Sequence, residues 1–318
     1  MKLRKNCLIL IPALIALCLV TSCIFGEKKS FISLSAVDSL GFKTDRYEIG
    51  SIIDLKYHWD KLYILDQRLN QLLVFNEKDL NFVGIIGKKG KGPGEFIEPM
   101  NLGFTSQDTL LVIDLGNGRL QYLDLEGNYL YSRKSVGFWS ISQYKDQMFM
   151  NKFAALPDAG IYSIEQDSTC LIFDAVSFFN KQNYTEIKQM FFTFTAYEKG
   201  FVVSFIFNKR VILLSNDGLV INPELDLPEF EYPNFNPGKA AAYGKGFLLP
   251  VKTFPSQDKV ETSEYYVIEY DKNGNINNVF ALPLGKEYFL EGFCSTGEYF
   301  YLSDFMEAIV YKFPIIKE

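Results

Sequence analysis

The chain has almost no histidine: His58 is the only one in 318 residues. Any site that needs two or more imidazoles is therefore excluded, including the common histidine-rich zinc arrangements. A Ser-His-Asp triad could use this residue alone. Its setting, Lys56-Tyr57-His58-Trp59-Asp60, reads as a solvated turn before a strand. Cysteine is scarce too. Only Cys170 and Cys294 lie beyond the first few dozen residues. Two thiols so far apart in a long chain are expected to be small buried hydrophobes rather than a bridge. Basic charge is outnumbered, with 32 Lys and Arg against 38 Asp and Glu and a net charge of −6. That balance argues against nucleic acid and against docking on anionic lipid. Long apolar runs are confined to Cys7 through Val20, and runs at helical spacing are hard to find after it.

That one run has a recognisable job. Lys2, Arg4 and Lys5 precede it. A helix needs about 20 residues to cross roughly 30 Å of hydrocarbon, so the run is too short to span. It has the size of a signal-peptide core. Val20-Thr21-Ser22-Cys23 resembles a lipobox, with small residues before the cysteine that takes the lipid. The expectation is a lipoprotein signal peptide over 1–22, lipidated Cys23, a tether over 23–30, and one domain over 31–318. Acyl chains on one cysteine suffice for stable anchoring. Ile24 is not an acidic retention residue, which favours the outer membrane of a cell envelope, with the body facing the periplasm or the outside. Removing three cations takes the charge from −6 to −9.

The remainder is rich in Phe, at 29, and Tyr, at 19. Both favour pleated, half-buried surfaces. Short apolar strands end at Asp or at Gly-Asn turns: Lys61 to Leu65 before Asp66, Leu110 to Ile113 before Asp114, Tyr299 to Ser303 before Asp304. Gln71 to Phe75, Arg119 to Leu123 and Ile309 to Phe313 follow as partners. Asn117 to Gly127 and Asn208 to Gly218 share a spacing, with Arg119 and Arg210 two residues after each Asn. Strand-end aspartates recur about every 48 residues, the length of a four-stranded propeller blade, which gives six units. The expected fold is all-β, a six-bladed β-propeller. The sixth unit runs out of chain before an outermost strand. Phe31 to Val37, an alternating strand with no local partner, would complete that last blade and close the ring.

Gly90-x-Gly92-x-Gly94-x-Phe96, Pro99, and Val112-Ile113-Asp114 followed by Asn117-Gly118-Arg119 resemble an NHL-type propeller repeat. The whole chain is similar to six-bladed, TolB-like propeller lipoproteins. That resemblance implies a fold and a location rather than an activity. The spacing of Gly87 and Gly92 suggests a phosphate loop, but Pro93 and Gly94 stand where Lys and Ser or Thr would be needed.

Two sets of residues remain as site candidates. Asp66, Asp114 and Asp304, each at a strand end, could form a carboxylate ring at the channel and hold calcium, which takes several oxygens at about 2.3–2.6 Å. The plainer reading has each carboxylate bonding the amides of its own turn. Phe138 and Trp139, with Phe230 and Tyr232, could present aromatic surface to a sugar ring or a protein; core packing is the plainer account. Three functions stay open: a non-enzymatic binding or scaffold propeller for an envelope protein or glycan, with no cofactor; a metal-dependent hydrolase or lyase of the lactonase type; and a surface carbohydrate binder.

Overall fold

A computed structural model describes residues 31–316 apart from 42, 136, 153–157, 165–168, 182–190, 207–208, 256–262, 285–289 and 306. The lipobox cysteine Cys23 and the turn residue Asn208 therefore lie outside the described residues.

The strands follow from where successive side chains must go. In the first blade, Lys61–Asp66 and Gln71–Asn76 are almost continuously apolar. Alternate residues in a strand point to opposite faces. Tyr63, Leu65, Leu72 and Val74 enter one core with Phe96, Leu102 and Leu110 of the second blade. Leu62, Ile64, Leu73 and Phe75 enter another with Tyr301 and Val310 of the sixth. Each middle strand is thus buried on both faces. Six such cores occur among the described residues, one between each adjacent pair of blades.

The result is the expected six-bladed all-β propeller. Its inner strands are Ile52–His58, Pro99–Phe104, Phe138–Tyr144, Phe192–Tyr197, Ala241–Tyr243 and Leu290–Ser295, and each neighbours the next around the axis. The first four sheets are antiparallel and follow chain order from the axis outward. In the fifth, the inner position is shared by Asn234–Pro237 and Ala241–Tyr243, both paired to Gly246–Phe254. The glycines of the repeat meet two demands at once. Gly127 and Gly218 both have positive φ, +90° and +81°. A Cβ on Gly127 would come within 2.8 Å of Ile86 on the blade before it.

The N-terminal segment closes the ring, but not with the residues the alternation suggested. Asp38–Leu40 is the strand that completes the sixth blade, with Asp38 opposite Lys312 and Leu40 opposite Val310. Within the stretch from Phe31 to Val37, Ile32–Ser33 instead adds in parallel to the outer edge of the fifth blade, beside Phe280 and Ala281. The chain passes from one edge to the other, where the Val37 amide donates to Lys312 O at 2.9 Å. The reason is burial: Leu34 enters the core between blades five and six, and Leu40 enters the one between six and one.

A buried ion pair crosses that last junction. Lys312 is 4% exposed. Its ammonium donates to Glu77 O at 2.8 Å and sits 3.2 Å from Glu77 Oε1. It also lies 4.3 Å from the centre of the Tyr299 ring. The Tyr301 hydroxyl donates to the same carboxylate at 2.6 Å. Burial, followed by this neighbouring carboxylate, raises the Tyr301 phenol well above its usual value.

One element was not foreseen. A short helix, Ala175–Lys181, follows the third blade. Asp174 caps it by accepting from the Ser177 amide at 2.9 Å, which lowers the Asp174 pKa. Phe179 is 2% exposed in the core between blades three and four.

Replacing Lys312 by Ala leaves Glu77 without its cation. The expected cost is about 3–5 kcal/mol in urea unfolding, with partial recovery in the double variant Lys312→Met/Glu77→Gln.

Candidate functional site

Asp66, Asp114 and Asp304 are all fully buried. In register they face Ile52, Pro99 and Leu290, the first residues of their inner strands. The links entering blades one and two pass there. Asp114 accepts from the Ile97 amide at 2.7 Å, Asn117 Nδ2 at 2.8 Å, Arg119 Nε at 2.8 Å and Gln121 Nε2 at 2.9 Å. Arg119 then donates to Gly92 O at 2.7 Å, and Asn117 to Gly90 O at 3.0 Å. The glycine-rich link is thereby pinned to the blade it enters. Asp66 repeats the device with the Gly50, Ser51 and Leu69 amides at 2.7, 3.0 and 3.0 Å. Asp304 accepts from the Glu307 amide at 2.6 Å. Among the described residues the possible carboxylate ring is not assembled: each acid serves its own blade end, closer to the plainer reading. Among the described residues, no three His, Cys, Asp or Glu side chains come together as a metal site.

The repeated arginine is not a repeated contact. Arg119 anchors a link, whereas Arg210 donates to Pro223 O at 2.8 Å and lies over the Phe178 ring.

The aromatic candidates are likewise dispersed. Phe138 and Trp139 pack on the core between blades two and three. Phe230 packs on the core between blades four and five, 4.9 Å from the Tyr266 ring. Tyr232 is half-buried in the connector nearby. The structure does not join the two pairs into one surface; both are largely occupied with packing, because each sits where a blade face needs covering. Cys170 and Cys294 are unpaired, one exposed on an outer strand and one buried on an inner strand.

What the structure does assemble is a cavity on the axis, of about 220 Å³. All six blades line it, with Lys56 to His58, Phe104, Ser142, Thr195, Lys239 and Cys294 among the contributors. It opens toward the ends of the inner strands, away from the strand-end aspartates. Asp54, 1% exposed, lies just behind the wall. Its Oδ2 accepts from the Leu102 amide at 3.1 Å. Its Oδ1 faces two ammoniums, Lys56 Nζ at 3.1 Å and Lys239 Nζ at 3.7 Å. Lys239 also donates to Ile141 O at 3.4 Å. Desolvation pushes the Lys239 pKa down to about 7, despite the pull of Asp54 toward the charged form. Burial pushes the Cys294 thiol up to about 12, so it is not a nucleophile near neutral pH.

His58 is not in a turn. It ends the inner strand Ile52–His58, and Trp59 and Asp60, both at positive φ, make the turn. The imidazole lies flat on Phe104 with ring centres 4.2 Å apart. Its Nε2 is 3.0 Å from Asp108 Oδ1, which also accepts from Trp59 Nε1 at 2.5 Å. The Trp59 bond, then His58, lowers the Asp108 pKa. This pair tacks the turn of blade one to that of blade two.

Asp54, Lys56 and Lys239 did not stand out in the sequence. Asp54 and Lys56 carry one signal: opposite charges two residues apart in a stretch that is otherwise apolar, Ile-Ile-Asp-Leu-Lys. On a strand that spacing places both on one face. Lys239 has no comparable signal.

A family model described as 6-bladed beta-propeller, DUF5128, matches residues 29–239. The structure is similar to that of a DUF4221 family member from Bacteroides vulgatus, at 13% identity and a TM-score of 0.62, over 88% of this chain and 97% of that one. It is similar to a protein from Bacteroides fragilis described as exported, at 16% identity and a TM-score of 0.58, over 91% and 100% of the two chains. A gluconolactonase from Xanthomonas campestris matches at 10% identity and a TM-score of 0.57, over 88% and 98%. At such identities the likeness is one of fold.

The buried lysine makes a pH prediction. Its folded pKa, about 7, lies below the unfolded value of about 10.4. Between the two, the unfolded chain binds the extra proton, so stability rises with pH. Below about 7 the cost of burying the ammonium is fully present. Lys239→Met should remove this rise, at most about 1.4 kcal/mol per pH unit. Urea unfolding of both proteins across that range checks it.

Proposed function

Because the chain belongs to the DUF5128 family of six-bladed β-propellers, we propose that it is a cell-envelope binding propeller of the NHL or TolB-like type. It is held to the outer membrane through lipidated Cys23 and offers its axial face to a protein or glycan. The signal-peptide pattern and the small residues before Cys23 support the anchor. The likeness to an exported protein fits the same address.

One observation favours binding over turnover. The axial cavity pairs a single carboxylate, Asp54, with two ammoniums, Lys56 and Lys239. A divalent cation would meet net positive charge there, whereas calcium sites are built from several oxygens. The acids that a lactonase-type mechanism would recruit, Asp66, Asp114 and Asp304, are committed to blade-end amides and side chains.

Metabolic labelling with a fatty acid should mark the wild-type protein and not Cys23→Ala. EDTA should leave the melting temperature of the purified protein unchanged, and binding of an envelope protein or glycan fraction should saturate. Metal-dependent turnover of a small ester or lactone would overturn the reading.

A further inference from the structure

We propose that the axial cavity is a carboxylate-binding site, for a ligand group no larger than one acid-bearing ring, gripped by Lys56 and Lys239. The inference rests on the binding reading above and names the chemistry that this face would recognise.

Three features carry it. The first is charge. Lys56 and Lys239 both line the cavity and share one counter-charge, Asp54 Oδ1, at 3.1 and 3.7 Å. With Lys239 protonated, the cluster has one uncompensated positive charge in a place largely removed from water, where ionic contacts are strengthened. An entering anion balances it. The second is unused hydrogen-bonding capacity. An ammonium has three donors. Lys56 spends two of them, on Asp54 Oδ1 and Leu55 O, at 3.1 and 3.2 Å. Among the described residues, Lys239 makes one hydrogen bond, to Ile141 O at 3.4 Å, beside its longer ion pair. Ser142 Oγ accepts from the Ala196 amide at 2.8 Å, which leaves its own O–H to give. Donors from three blades thus border one space. The third is size and lining. About 220 Å³ falls below the roughly 300–1,000 Å³ of sites for drug-sized ligands. Phe104 and Phe293 supply apolar wall beside the polar groups, so the anion comes on a compact body rather than as a bare ion.

The titratable groups around Lys239 are few. Asp54, Lys56, Tyr57 and His58 come from the first blade and Cys294 from the sixth. The cavity-lining residues of blades two, three and four are not titratable. Lys239 holds its proton below about 7 and loses it above. Carboxylate affinity should therefore fall as the pH rises through that value, while the ligand keeps its charge throughout.

Two sources would present the same group: a free apolar acid, or the acid sugar of a glycan. Calorimetric titration of the purified full-length protein with benzoate and with glucuronate separates them, with benzamide and glucose as neutral counterparts. At least one acid should bind saturably and its neutral partner should not. Lys56→Met and Lys239→Met should each weaken binding roughly ten- to a hundredfold, and Lys239→Arg should retain it. The wild-type pH profile needs no variant and guards against misfolding of one. The proposal is overturned if neither acid binds, if the neutral counterparts bind as well, or if both methionine variants, shown to be folded by their melting curves, bind like wild type. Failure here with saturable envelope binding intact would sink the carboxylate site alone. Loss of both would sink the binding reading with it.

Discussion

Every middle strand of this protein has two apolar faces, and neither can be left against water. Leu62 and Tyr63 are adjacent in sequence and buried in different cores. A blade of this kind cannot stand at the end of a row. It needs a neighbour on each side, and the only arrangement that gives every blade two neighbours is a ring. The remaining architecture follows from that requirement. The last blade must be finished by residues from the far end of the chain, and Asp38–Leu40 do so. The junction they complete is then sealed by Lys312 and Glu77. Each link must run from an outer edge back to the axis, and in the first two blades a buried aspartate receives it on arrival.

The same requirement decides where polar groups can go. The cores between blades hold the apolar side chains, so the axis is where inward-facing charge collects. The chain as a whole is acidic, yet its axial cavity is bordered by two lysines and backed by one aspartate. Around it, Asn101 Oδ1 accepts from the Ile141 amide at 2.8 Å and Thr195 Oγ1 donates to Ala240 O at 2.6 Å. These side chains stitch inner strands to one another and leave a polar lining rather than an apolar plug.

Much of the fold was legible in the sequence because the two-faced strands write it plainly. Leu110 to Ile113 and Arg119 to Leu123 are apolar, short and stopped by Asp or Gly, and the structure forms them as Leu110–Asp114 and Arg119–Leu123. The inner strand Ile52–His58 was harder, since Asp54, Lys56 and His58 interrupt its apolar pattern. Those interruptions are the axial face itself, so the feature that hid the strand also marks the site. Ring closure could be foreseen from a missing outer strand, but not its register. Asp-Ser-Leu at 38–40 has little strand propensity of its own and is held by Lys312, Tyr311 and Val310 opposite. The helix Ala175–Lys181 is too short to announce itself by periodicity and depends on Phe179 reaching a core. Lys239 sits just after a proline-rich connector and becomes an axial residue only when the ring shuts. The strand-end aspartates were visible; what local sequence did not reveal is that in the first two blades the entering link takes up oxygens of Asp66 and Asp114.

The path of the first described residues has a mechanical consequence. Tension arriving from the preceding segment would meet Ile32–Ser33 on the fifth blade before it reached Asp38–Leu40 on the sixth. The parallel contact acts as a cleat: it can peel away while the clasp that shuts the wheel stays fastened. A body pulled by its leading end would give a little at its rim and keep its hub in shape.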